Sequence, residues 1–133
     1  MKKLLVLLIA MLSLFSCSSD DENLDPFVGT WKLFSNRQGE VNECEKKTTI
    51  IINESGTYSS SYYYEENNAC TNGNATGVWE NAGNGIYEIK ESGSNQVELA
   101  NITFKDNNKT FVITETDNDN GVTKTYTIVY KRK

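Results

Sequence analysis

From Pro26 to Leu33 the chain alternates, with Phe27, Gly29, Trp31 and Leu33 on one face and Val28, Thr30 and Lys32 on the other. A period of two is the mark of a half-buried strand, so this stretch predicts a first strand over 28–34 with Trp31 as an aromatic plug. The same reading predicts further strands at 47–53, around Ile50, Ile51 and Ile52, and at 57–64, where Tyr58, Ser60, Tyr62 and Tyr64 alternate with Thr57, Ser59, Ser61 and Tyr63. Asn53-Glu54-Ser55-Gly56 between them is a turn signal, and the pair reads as a hairpin. Residues 65–74 are polar and read as a loop holding Cys70. Strands follow at 76–81, 86–91, 96–104, 110–116 and 122–132, separated by turns rich in Asn, Gly, Asp and Ser. In 96–104 the apolar phase passes from Val97 and Leu99 to Ile102 and Phe104, which predicts a bulge near Ala100–Asn101. Strands joined in sequence, with no amphipathic helix, predict an all-β chain: a single antiparallel up-and-down eight-stranded barrel, with a β-sandwich as the alternative.

The chain before this barrel has a different character. Met1-Lys2-Lys3 is basic, and the apolar run from Leu4 to Phe15 is too short for a comfortable membrane span but fits the core of a secretory signal. It ends in Leu14-Phe15-Ser16-Cys17, which resembles the lipobox of bacterial lipoproteins. That resemblance implies removal of residues 1–16 and lipid attachment at Cys17, with acyl chains such as palmitate anchoring the protein to the outer membrane. An ordinary signal peptide with an incidental Cys is the alternative. Residues 17–25 then read as an acidic tether, with Asp20, Asp21 and Glu22 in it. The acidic run is similar to export signals that carry lipoproteins to the cell surface, which implies an outward-facing domain over 26–133.

Composition narrows the function. Of 133 residues, 117 remain after the leader, enough for one core. The formal charge of −5 becomes −7 once Lys2 and Lys3 are gone, and the sequence shows no basic run beyond its last three residues, so nucleic-acid binding is not expected. There is no His, which removes the commonest general base and metal ligand and argues against an enzyme. Glu65-Glu66 read as solvated loop charges. Asp117, Asp119 and Asn120 resemble half a calcium loop without its closing Glu, and so read as a turn. Neither a metal nor a cofactor is expected. With Cys17 lipidated, Cys44 and Cys70 form an even pair in an oxidising compartment, and both should emerge at one end of the 47–64 hairpin, so a disulfide is expected. Free thiols or a redox pair are the alternatives.

Gly29-Thr30-Trp31 on the first strand, followed by this strand order, resembles a lipocalin-like domain over 26–133. The resemblance implies that Trp31 closes the barrel base with Arg132 packed over it, and that a cup above holds a small hydrophobic or amphipathic ligand. Candidate cup residues are Leu33, Ile50, Ile52, Tyr58, Tyr62, Trp79, Ile89, Phe111 and Tyr126. A filled barrel core would use the same residues, and the pattern does not separate the two. The expected function is that of a non-enzymatic, monomeric surface lipoprotein binding a small ligand. The alternative is a protein-interaction module: a barrel-type protease inhibitor, an adhesion protein or an envelope-complex subunit.

Overall fold

The computed structural model describes residues 23–133, so the leader and Cys17 lie outside the described residues. Nine strands form one antiparallel sheet: β1 (Gly29–Asn36), β2 (Gly39–Glu40), β3 (Thr49–Ile52), β4 (Thr57–Glu66), β5 (Ala69–Gly83), β6 (Ile86–Glu91), β7 (Glu98–Lys105), β8 (Thr110–Asp119) and β9 (Val122–Arg132). β2 is a two-residue return against the end of β1, and the other eight are neighbours in chain order. β1 also pairs with β9, from Trp31↔Arg132 to Ser35↔Val129, which closes an eight-stranded barrel. Closure leaves the barrel no sheet edge along its pairing rows. Among the described residues the eight strands close on one another around one core, with the disulfide inside the same segment, so residues 23–133 hold a complete barrel of their own.

The core sits at one end, here called the base. Phe27, Trp31, Ile52, Tyr87, Ile102 and Phe111 are buried together, with Ile50, Tyr58, Trp79, Ile89, Phe104 and Tyr130 packed against them. At the opposite end, the mouth, two hairpins outrun their neighbours. β4 and β5 continue from Tyr62↔Gly73 to Glu66↔Ala69, beyond the last residues paired with β3 and β6. β8 and β9 continue from Glu115↔Tyr126 to Asp119↔Val122, beyond β7 and β1. In the ring of eight these two arms stand half a turn apart.

Two local expectations change. Residues 65–74 are strand, not loop: Asn67 and Asn68 alone make the turn, with φ of 51° and 61°. That is the backbone of a two-residue hairpin turn, for which Asn is well suited. β7 has no bulge at Ala100–Asn101. Its even residues face in throughout, and Leu99 is simply outside, 68% exposed. The register shifts fall instead at Leu33/Ser35 in β1 and Asn81/Gly83 in β5.

Candidate functional site

The base is sealed by a side-chain stack. Trp31 is fully buried, lies 4.6 Å from Phe111 edge to face, and donates its Nε1–H to the Phe27 carbonyl at 2.8 Å. The Arg132 guanidinium lies 4.2 Å over the Trp31 ring. It donates to the carbonyls of Pro26 and Val28, each at 2.9 Å, and of Asn108 at 3.1 Å. One cation thus satisfies three carbonyls where the entering chain crosses the last strand. Gly29 makes the crossing possible: its φ is +145°, and a Cβ there would collide with the guanidinium.

Asp25 clamps the incoming chain. Its carboxylate accepts from the Tyr87 hydroxyl at 2.8 Å, from the Asn81 amide at 2.7 Å and from the Phe27 N–H at 2.8 Å. Asp25, expected at the end of the tether, therefore belongs to the barrel. Burial and the bond to Asp25 raise the Tyr87 pKa, and burial alone pushes Tyr130 up to about 12.

Of the expected cup residues, Ile52 and Phe111 lie in the buried base, with Ile50, Tyr58, Trp79 and Ile89 packed on it. Trp79 donates its Nε1–H to the Asn53 carbonyl at 3.0 Å and meets Phe27 edge to face. Leu33, Tyr62 and Tyr126 stand outside that cluster. Leu33 shares the inward face of β1 but lies at the bulge, Tyr62 is on one arm and Tyr126 on the other. The nine residues therefore do not line one apolar cup.

Above the base the inward faces turn polar. The register carries Ile52↔Tyr58↔Gly77↔Glu91 and Trp79↔Ile89↔Glu98 along one face, which brings Glu91 and Glu98 inward beside Tyr58. Tyr58, Ile89, Glu91, Ser94, Gln96 and Glu98 enclose a hollow of about 70 Å³. Burial, then Glu91 and Glu98, raise the Tyr58 pKa, since each disfavours a phenolate. On the arm above, Tyr62 and Tyr64 stack with centroids 6.2 Å apart and remain 43% and 40% exposed. Tyr62 lies flat on Gly73, where a Cβ would strike its ring. On the opposite arm Arg37 pairs with Glu115 and with Asp117, the latter at 3.3 Å, and lies 5.4 Å over Tyr126.

Cys44 and Cys70 are bridged, with Cα atoms 5.6 Å apart. Cys70 is paired opposite Glu65 on the first arm, so the bridge ties that arm to the 3-10 turn at Glu45–Lys47. Sequence reading missed Glu91, Glu98 and the far half of the first arm, residues 65–74. The signal available was the alternation through residues 62–74, obscured because neither face there is apolar. Among the described residues no cluster of ligating side chains could hold a metal ion.

The lipocalin-like domain family matches residues 27–108, from the base plug through the β7–β8 turn. No curated protein matches the chain.

Proposed function

The chain belongs to the lipocalin-like domain family, and from that premise we propose a non-enzymatic, lipid-anchored cell-surface protein that takes a small amphipathic ligand at the barrel mouth. The observation that carries this reading is the graded interior. Below, aromatic side chains fill the base; above, Tyr58 shares a hollow with two inward carboxylates, under the exposed Tyr62–Tyr64 stack. A ligand with a flat apolar face would stack on the arm and direct a hydroxyl or cationic group toward Glu91 and Glu98. The apolar end of a fully hydrophobic ligand would find the floor occupied.

Anchoring rests on the leader and on the path of the chain. Residues 17–25 span at most about 30 Å fully extended, and the described chain enters at the base. A lipid on Cys17 would hold the base toward the membrane and the mouth away from it. The test is native mass spectrometry of protein purified from its own host. A co-purifying small molecule lost in Tyr62→Ala/Glu91→Gln/Glu98→Gln supports the reading, and a molecule retained by that variant refutes the mouth as its site. For the anchor, Cys17→Ala should move the protein out of the membrane fraction, and protease shaving of intact cells should remove the wild-type protein.

A second reading has its own observation. Two arms half a ring apart, one with exposed tyrosines, suit a protein partner grasped between them. An empty barrel that captures one defined envelope protein, and loses it on Tyr62→Ala/Tyr64→Ala, would favour this interaction role.

A further inference from the structure

The sequence shows few basic residues together, but the barrel gathers them. Lys105 of β7 is paired opposite Thr110 of β8, Thr110 opposite Lys131 of β9, and Lys131 opposite Lys32 of β1. Residues in direct register share a face. Phe104, Phe111, Tyr130 and Trp31 beside them point inward, so the three lysines form a row across the outer face of four adjacent strands. Lys109 and Lys133 extend the row toward the base, where the Arg132 N–H donates to the Lys109 carbonyl and the Lys133 N–H to the Thr30 carbonyl. All five lysines are exposed. Among the described residues the ion pairs are Arg37 with Glu115 and Asp117, and Lys46 with Glu43, so none of the five is paired. The acidic groups nearby are Asp106, which accepts from the Thr110 hydroxyl, and Glu43, already held by Lys46 and lowered in pKa chiefly by that bond, with Lys32 adding to it.

Directly opposed like charges destabilise a sheet. A chain of net charge −5 has acidic residues to spare, yet Lys32 and Lys131 face each other without one. The row flanks an open hollow of about 220 Å³ formed by Lys32, Leu33, Phe34, Lys46 and Lys131. In it Phe34 is 45% exposed and carries the Lys131 ammonium 3.6 Å above its ring. The surface is broad and outward rather than enclosed, and it lies at the end where the first 22 residues join the barrel.

We propose that the outer face of β7, β8, β9 and β1 beside the base docks on an anionic membrane surface. The lysine row meets phosphate-bearing headgroups, and Phe34 sits at their boundary. Delocalised charge across a sheet face fits a bilayer rather than a single bound anion, and, resting on the proposed anchor at Cys17, the chain entry would hold this end of the barrel near the membrane.

The test uses residues 23–133 and cosedimentation with vesicles of phosphatidylcholine alone or with roughly 30 mol% phosphatidylglycerol. Wild type should bind the anionic vesicles, and binding should collapse between about 0.02 M and about 0.5 M salt. Lys32→Gln/Lys105→Gln/Lys131→Gln should weaken binding on the order of 100-fold, from about fivefold per lysine near a charged bilayer. Lys47→Gln/Lys90→Gln/Lys124→Gln, with the same charge change outside this face, should weaken it no more than about threefold through long-range field alone. If Lys131→Gln unfolds through loss of its seat on Phe34, Lys32→Gln/Lys105→Gln reads the same face, with on the order of 25-fold expected. Equal losses in the two triple variants, or equal wild-type binding to neutral vesicles, would overturn the proposal. So would release by millimolar glycerol phosphate at constant ionic strength, which would mark a discrete anion site. Residues 17–133 with Cys17→Ser must also bind. Loss of binding there would assign the row to Asp20, Asp21 and Glu22 instead.

Discussion

Arg132 and Trp31 offer a sharp measurement, because the structure puts a cation, an aromatic face and three carbonyls at one point. Trp31→Ala removes a fully buried indole, leaves the Phe27 carbonyl without its donor and takes the floor from beneath the guanidinium. Cavity formation at a buried aromatic costs about 3–5 kcal/mol. Arg132→Met keeps much of the aliphatic stem and loses the charge. The residue as a whole is exposed, so its three hydrogen bonds and the cation–π contact together are worth about 2–3 kcal/mol rather than the buried-charge sum. The two losses should not add. Urea denaturation of wild type, both single variants and the double variant closes the cycle, with m of about 1–3 kcal/mol/M converting midpoints to free energies. A coupling of about 1–2 kcal/mol is expected. A coupling below about 0.3 kcal/mol, within ordinary additivity, would mean that the guanidinium merely lies near the ring, and the sealed-base argument would fail.

Three other outcomes follow from the same geometry. The Cys44–Cys70 bridge closes 26 residues, so Cys44→Ala/Cys70→Ala should lower stability by about 3–4 kcal/mol on the chain-entropy model, with hydrogen exchange rising first at Tyr62–Thr71. Raised phenol pKa values mean that the unfolded chain loses protons first as pH rises. Stability should thus be constant below about pH 9 and fall from about pH 10 toward 12, by at most about 1.4 kcal/mol per pH unit per tyrosine; Tyr87→Phe/Tyr130→Phe should flatten the slope in a pH series of chemical melts. Gly29→Ala should cost about 1–3 kcal/mol from its backbone conformation, plus displacement of Arg132, read as a drop in melting temperature. A melting temperature within a degree of wild type would contradict the close approach.

The base was legible in the sequence because it is written in the residues that burial demands. Alternation at Phe27 and Trp31, the Gly two places before the Trp and the phase of Arg132 all answer to one packed end. The far half of the first arm, residues 65–74, was not legible for the converse reason. Once β4–β5 leaves the barrel, both its faces meet water, and beyond Tyr64 no apolar period remains to distinguish a strand from a loop. Leu99 misled in the other direction, since an exposed apolar residue imitates a change of phase. The inward carboxylates and the lysine row were invisible for a third reason. Glu91 and Glu98, or Lys32, Lys105 and Lys131, become neighbours only when strand register is known.

The pairing of Trp31 with Arg132 also dictates when this protein can finish folding. The first and last strands of the barrel are separated by nearly the whole domain, so the contact that shuts the base is among the longest in the chain. Hairpins such as β4–β5 can form from neighbouring residues as the chain emerges, but the ring must wait for its final strand. Until then β1 presents an unsatisfied edge on one side, and Gly29–Trp31 lies open beneath a guanidinium that has not arrived. Loop-closure entropy therefore falls on the last step, and folding should be slow for a domain of this size. A chain halted after Asn108 would hold six barrel strands with two bare edges, a form suited to aggregation rather than to storage.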